Sequence, residues 1–146
     1  MHHLSQQASS KAGEYFDRGY NCAQTVALSN IELLGGHAEG VLQLAAGFGH
    51  GMNAGCTCGA LAGGVMALGM LLAEPGVTGF DKPIARAATE LNRRFISEFG
   101  VTCCRSLRKK LSPLKNARCR HITTSTAAMT MELLQAEINA VHRVSV

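Results

Sequence analysis

Apolar positions in this chain recur every three or four residues and nowhere every second one, which is the spacing that gathers side chains on one face of a helix. After a flexible tail over residues 1–8, a first helix is expected from about Ser9 to Asp17, and Arg18-Gly19-Tyr20-Asn21 then breaks the pattern. Asn21 is the expected N-cap of a second helix through Cys22, Ala23, Val26, Ala27, Ile31 and Leu34, which stops at Gly35-Gly36 because glycine takes the left-handed conformation freely. A short third helix follows from about Ala38 to Ala46, then a glycine-rich loop, then an apolar helix from about Thr57 that Pro75-Gly76 terminates. The fifth begins near Asp81. Its Ile84, Ala87, Ala88, Leu91, Phe95 and Phe99 form one stripe, Arg86, Glu90, Arg93, Arg94 and Glu98 lie mostly outside it, and Gly100 ends it. Thr102 is placed to cap a short turn from Cys103 to about Lys110, Ser112-Pro113 breaks the chain, and a last helix runs from Asn116 to about His142. With no strand-like run and no Asn-Gly or Asp-Gly hairpin turn, the expected fold is all-α: a compact bundle of five to seven helices around a central helix rich in small residues.

Composition narrows the functional classes. A chain of 146 residues, 47% of them hydrophobic, is the size of a single helical domain over residues 1–146, and 16% charged residues is too few for a disordered chain. The net charge of +4 comes mostly from the stretch Arg86 to Arg120, and two tyrosines and five phenylalanines at apolar positions supply no stacking platform, so a nucleic-acid partner is not expected. From Gly40 to Ala73 there is no Asp, Glu, Lys or Arg, and Gly59 and Gly63 have the spacing of membrane helix pairs. The apolar run from Cys58 to Ala73 is nevertheless shorter than the roughly 20 residues a span requires, so no membrane span is expected. Met1 to Gln7 has neither the apolar core of a signal peptide nor the arginines of a transit peptide, which points to the cytoplasm. The small-residue helix leaves room for a homodimer.

The candidate chemistry lies in six cysteines, at positions 22, 56, 58, 103, 104 and 119, each at or within the first turn of an expected helix. A helix N-terminus carries about half a positive charge and unpaired N–H groups, so a thiol there is expected to fall below the ~8.5 of a free cysteine. Arg105, Arg118 and Arg120, adjacent in sequence to Cys104 and Cys119, push the same way. Two ordinary readings stand beside this: buried cysteine as core filler, and a disulfide framework of the kind found in small secreted domains. There is no CxxC, no CxxCH and no paired CxxC knuckle, only Cys56-Thr57-Cys58, Cys103-Cys104 and two isolated cysteines that the fold alone can gather. A soft metal ion such as Zn or Cu(I), or an iron–sulfur cluster, accepts thiolates from separate helices. His50 and His121 are weaker candidates as ligands or proton carriers, since a lone loop histidine is ordinarily just solvated.

The order of these residues resembles the redox-active family named for its cysteine pattern, C_GCAxxG_C_C. The most specific match is Cys58-Gly59-Ala60-Leu61-Ala62-Gly63, continued by Gly64-Val65-Met66-Ala67-Leu68-Gly69. Tyr20-Asn21-Cys22-Ala23-Gln24 resembles the first cysteine site, Phe99-Gly100 followed by Cys104-Arg105-Ser106-Leu107 the third, and Cys119 the fourth. The resemblance implies a small helical protein of redox or metal-binding role in which Cys22, Cys58, Cys104 and Cys119 converge, as reactive thiols or as metal ligands. Cys56 and Cys103 fall outside the four positions and, with His50, are weaker metal candidates. Gly59, Ala60 and Gly63 would border a cofactor, because glycines let a bound group approach the backbone beside the thiol; close helix packing accounts for them equally well. Three classes follow: an electron-transfer or thiol–disulfide protein with an unidentified redox or thiol partner, a non-catalytic Zn or Cu carrier, and a packing domain with incidental cysteines.

Overall fold

The computed structural model describes residues 2–109 and 115–144. In chain order the helices are α1 (His2–Asp17), α2 (Cys22–Leu33), α3 (Val41–Ala45), α4 (Gly59–Leu72), α5 (Lys82–Phe99), α6 (Cys104–Lys109) and α7 (Lys115–Val144). No strand occurs among the described residues; one isolated antiparallel bridge joins Thr57 to Cys103. The fold is all-α. No helix among the described residues is long and apolar enough to cross a membrane. The break expected at Ser112-Pro113 lies outside the described residues.

Two long helices organise the rest. α7 runs beside α1, α2, α4 and α5, and α4 is packed against α2, α5 and α7. α4 buries a broad face made of Gly59, Ala60, Leu61, Gly63, Gly64, Ala67 and Leu68. Its small side chains permit this. A Cβ on Gly63 would run into the Ala23 carbonyl of α2, and one on Gly64 would come within 2.7 Å of both Leu91 of α5 and Thr130 of α7. Two adjacent glycines thus admit helices on two different sides.

α5 shows the amphipathic pattern most cleanly, with Ala87, Leu91, Phe95 and Phe99 buried. Asp81 caps it by accepting from the Ile84 N–H at 3.1 Å, and Gly100, at φ +91°, closes it. Its arginines reach outward to α7, Arg86 pairing with Glu137 and Arg94 with Glu132. These pairs lie at the surface, partly open to water, where such contacts contribute about 0–1 kcal/mol each.

The N-terminus departs from expectation. Residues 2–8 are not a tail: α1 starts at His2 and buries Ser5, Ala8, Ala12 and Gly13 along α7. Helical spacing is present there as Leu4, Ala8 and Ala12, but the buried side chains are too small to give an apolar stripe against Ser5-Gln6-Gln7. Arg120 of α7 closes the contact, lying over Gly13 and binding both carboxylate oxygens of Asp17 at 2.9 and 3.0 Å.

The packing predicts opposite outcomes for two glycines of α4. Gly63→Ala is expected to lower the unfolding free energy by about 1–3 kcal/mol through overpacking. Gly69→Ala, where a Cβ meets nothing within 4 Å, should raise it by roughly 0.5–1 kcal/mol. Urea titration followed by circular dichroism measures both.

Candidate functional site

The turn between α1 and α2 fixes the first cysteine. Asn21 accepts from the Gln24 N–H at 2.8 Å while the Gln24 side chain accepts from the Asn21 N–H at 3.0 Å, a reciprocal capping box that starts α2 at Cys22. The same two side chains reach across to α3, Asn21 donating to the carbonyls of Ala45 and Ala46 and Gln24 to that of Leu42. They therefore tie the start of α2 to the segment that leads into the glycine-rich loop. In that loop His50, Met52 and Asn53 all take positive φ, at 53°, 62° and 55°. Such backbone costs of order 1–3 kcal/mol per residue and persists only where the surroundings enforce it. Here they do: a Cβ on Gly51 would stand 2.7 Å from the Cys104 Cβ, and Asn53 holds the Gly47 carbonyl at 3.1 Å.

A pair of short extended segments delivers the next two cysteines. The Cys58 N–H donates to the Thr102 carbonyl at 2.7 Å and the Cys104 N–H to the Cys56 carbonyl at 2.6 Å, on either side of the Thr57–Cys103 bridge. Cys58 is then the N-cap residue of α4 and Cys104 the first residue of α6. Cys119 lies one turn inside α7, which begins at Lys115, not at the helix start that its sequence position suggests.

These four elements meet around one cavity of about 420 Å³. Cys22, Cys58, Cys104 and Cys119 all line it, with Phe16, Leu107 and Ile122 as apolar wall and Tyr20, Asn21, His50 and Arg108 as its polar part. Cys58 and Cys104 are buried, Cys22 and Cys119 half-buried, and every cysteine is a free thiol. The sulfur of Cys22 occupies the space that a Gly59 Cβ would fill, which brings it against the backbone next to Cys58. Among the described residues no group of three or more His, Cys, Asp or Glu side chains is disposed to hold a single metal ion.

The electrostatics correct the expectation of acidic thiols. Burial pushes the Cys22 thiol up, although the N–H groups of His50 and Ala23 act against the shift. Burial, with repulsion from Cys22 next, pushes Cys58 up to about 12, and the N–H groups of Ala60 and Leu61 at the start of α4 only partly oppose it. Burial and then Cys22 and Cys104 raise Cys119, against Arg108 and Arg118. Desolvation outweighs the helix ends because a half charge in a dry pocket recovers less than a thiolate loses on leaving water. Arg120, expected to help, is bound to Asp17 instead. The depressed thiol is Cys103, lowered by the backbone N–H and then the hydroxyl of Ser106, with Arg105 adding to the effect.

Of the remaining candidates, Cys56 and Cys103 do not line the cavity. Cys56 is exposed and Cys103 half-buried on the far side of the bridge. Cys56 follows the wide turn Gly51–Gly55 and so does not start a helix. His50 borders the cavity, whereas His121 is exposed and meets Phe99 edge-on at 6.1 Å. Gly59, Ala60 and Gly63 do not line it: Gly59 makes room for the Cys22 sulfur, Ala60 is core, and Gly63 admits α2. Tyr20 belongs to the motif around Cys22, whereas Phe16 and Arg108 carry no spacing signal of their own and reach the cavity only through the fold.

A helical protein with four cysteines around one cavity is thus the class that fold and site define. The family described as "Putative redox-active protein (C_GCAxxG_C_C)" matches residues 20–133, and the chain belongs to it. No curated protein and no solved structure matches the chain.

In metal-free protein, iodoacetamide at pH 8 is expected to label Cys103 at least tenfold faster than Cys22 or Cys58. As pH rises, the thiolate absorbance of Cys58 should appear last, near pH 12. Peptide mapping of timed samples and ultraviolet titration of Cys58→Ala check the two statements.

Proposed function

We propose that the four-cysteine cavity is a redox centre in which Cys22, Cys58, Cys104 and Cys119 together hold an iron–sulfur cluster, and that the protein passes electrons to and from a redox partner. The observation that carries this reading is the meeting of four thiols, from four separate helices, on one cavity of about 420 Å³. A cysteine pair that merely closes to a disulfide needs no room between its sulfurs. A single Zn or Cu ion needs its donors gathered tightly about one point, and the described residues do not present such a group. Four thiols spread around a larger space suit a polynuclear group.

The surrounding residues fit that occupant. Buried, mutually repelling sulfurs keep their protons when nothing cationic lies between them, and ligation by a cationic centre is what displaces those protons. The N–H groups facing Cys22 and Cys58 stabilise negative charge on sulfur, Arg108 and Arg118 do so beside Cys119, and Phe16, Leu107 and Ile122 exclude water. A bound cluster supplies one-electron chemistry whose potential such neighbours tune.

The test is the protein isolated without oxygen from lysis onward. Visible charge-transfer absorption with stoichiometric iron and sulfide is expected, and Cys58→Ser should lose most of both while Cys103→Ser retains them. Equal losses in the two variants would count against the assignment. Colourless protein with stoichiometric zinc or copper would replace it with the carrier reading, and a metal-free protein that forms disulfides among the four cysteines would replace it with thiol–disulfide exchange.

A further inference from the structure

The two cysteines outside the cavity are close to each other. Cys56 precedes Thr57 in one segment of the bridge, and Cys103 is the residue opposite Thr57 in the other. Opposed residues of an antiparallel pair stand ~4.5–5.5 Å apart and neighbours along the chain ~3.8 Å, which puts the Cα atoms of Cys56 and Cys103 about 6 Å apart, inside the range a disulfide spans. In a regular ribbon their side chains would leave on opposite faces. Cys56, however, has φ −86° and ψ −136°, outside the extended region, so the alternation breaks at this residue. The Cys103 sulfur has turned toward that break: it contacts the Gly55 carbonyl at 3.3 Å, one peptide unit from Cys56. The Cys56 sulfur lies 3.9 Å from the carbonyl of Ala54, two residues before it, and Cys56 is exposed. Both sulfurs flank the same stretch of backbone. Arg105 holds that stretch in place through the Ala54 carbonyl at 3.1 Å.

We propose that Cys56 and Cys103 form a second, surface thiol pair that closes to a disulfide by exchange with a low-molecular-weight or protein disulfide. The exposed Cys56 thiolate attacks one sulfur of the partner disulfide, breaking its S–S bond and releasing one partner thiolate, which takes up a proton. Cys103 then attacks the Cys56 sulfur of the mixed disulfide and releases the second partner thiol. Two protein S–H bonds are lost and one S–S bond forms, while one partner S–S bond becomes two S–H bonds; two electrons pass from protein to partner. The link ties together the two segments from which Cys58 and Cys104 enter the cavity, so the surface pair reports the redox state of the surroundings on the frame of the four-cysteine site. This assignment is independent of what the cavity holds.

The experiment treats the full chain, kept anaerobic, with oxidised glutathione, blocks remaining thiols with iodoacetamide in denaturant, and maps the peptides by mass spectrometry. The expected product joins the Cys56 and Cys103 peptides, with Cys22, Cys58, Cys104 and Cys119 alkylated. Cys103→Ser should accumulate glutathione on Cys56, at least tenfold above the wild-type chain, because nothing displaces it. Cys56 and Cys103 both alkylated, or a lasting glutathione adduct on either in the wild-type chain, overturns the proposal. So does a disulfide confined to the cavity cysteines, whereas failure of the cluster reading shows separately, as absent iron in the untreated protein.

Discussion

The close approach of α2 and α4 governs where the chemistry of this protein lies. Gly63 lets the Ala23 backbone of α2 sit directly on α4, and Gly59, one turn earlier, leaves its side-chain space to the Cys22 sulfur. One contact between two helices therefore does two things: it closes the core and it brings the first residue of α2 beside the residue that caps α4. Any side chain at position 63 would push the helices apart, and the separation of Cys22 from Cys58 would grow with it.

The remaining two cysteines arrive by different means. Cys104 is placed by backbone hydrogen bonds across the Thr57–Cys103 bridge, and Cys119 by the long packing of α7 against α1, α2 and α4. The strained loop from His50 to Asn53 sits over this junction, its conformation enforced by Gly51 against Cys104 and by the Asn21 side chain holding the end of α3. Steric fit, ribbon pairing and capping thus converge on one place, where the thiols are partly or fully withdrawn from water and near enough to repel one another as thiolates. That environment disfavours the thiolates of Cys22, Cys58 and Cys119, because burial costs a thiolate its hydration.

Helix types and most helix ends were legible because their causes are local. The Asn21 and Asp81 caps, the glycine stop at Gly100 and the stripe from Ala87 to Phe99 depend on residues within a turn or two of one another. Where the cause was distant, sequence reading faltered. α1 extends to His2 because Ala8 and Ala12 fit closely against α7, a gain that small residues do not announce. The thiol acidities differ from expectation for the same reason, since helix position can be read along the chain but desolvation cannot. Cys103, half-buried beside the start of α6, kept the electrostatic benefit that Cys22, Cys58 and Cys119 lost.

By itself the sequence determined an all-α chain, the order of its helices, and a cysteine pattern specific enough to carry family membership, all of them properties of spacing along the polypeptide. Tertiary structure alone decided that four of the six cysteines border a common cavity, that Cys56 and Cys103 stay out of it at a short bridge, and that Gly59 and Gly63 act as contact surfaces. Distances between residues 15 to 97 positions apart are set by how helices pack, and packing is a property of surfaces that meet in three dimensions.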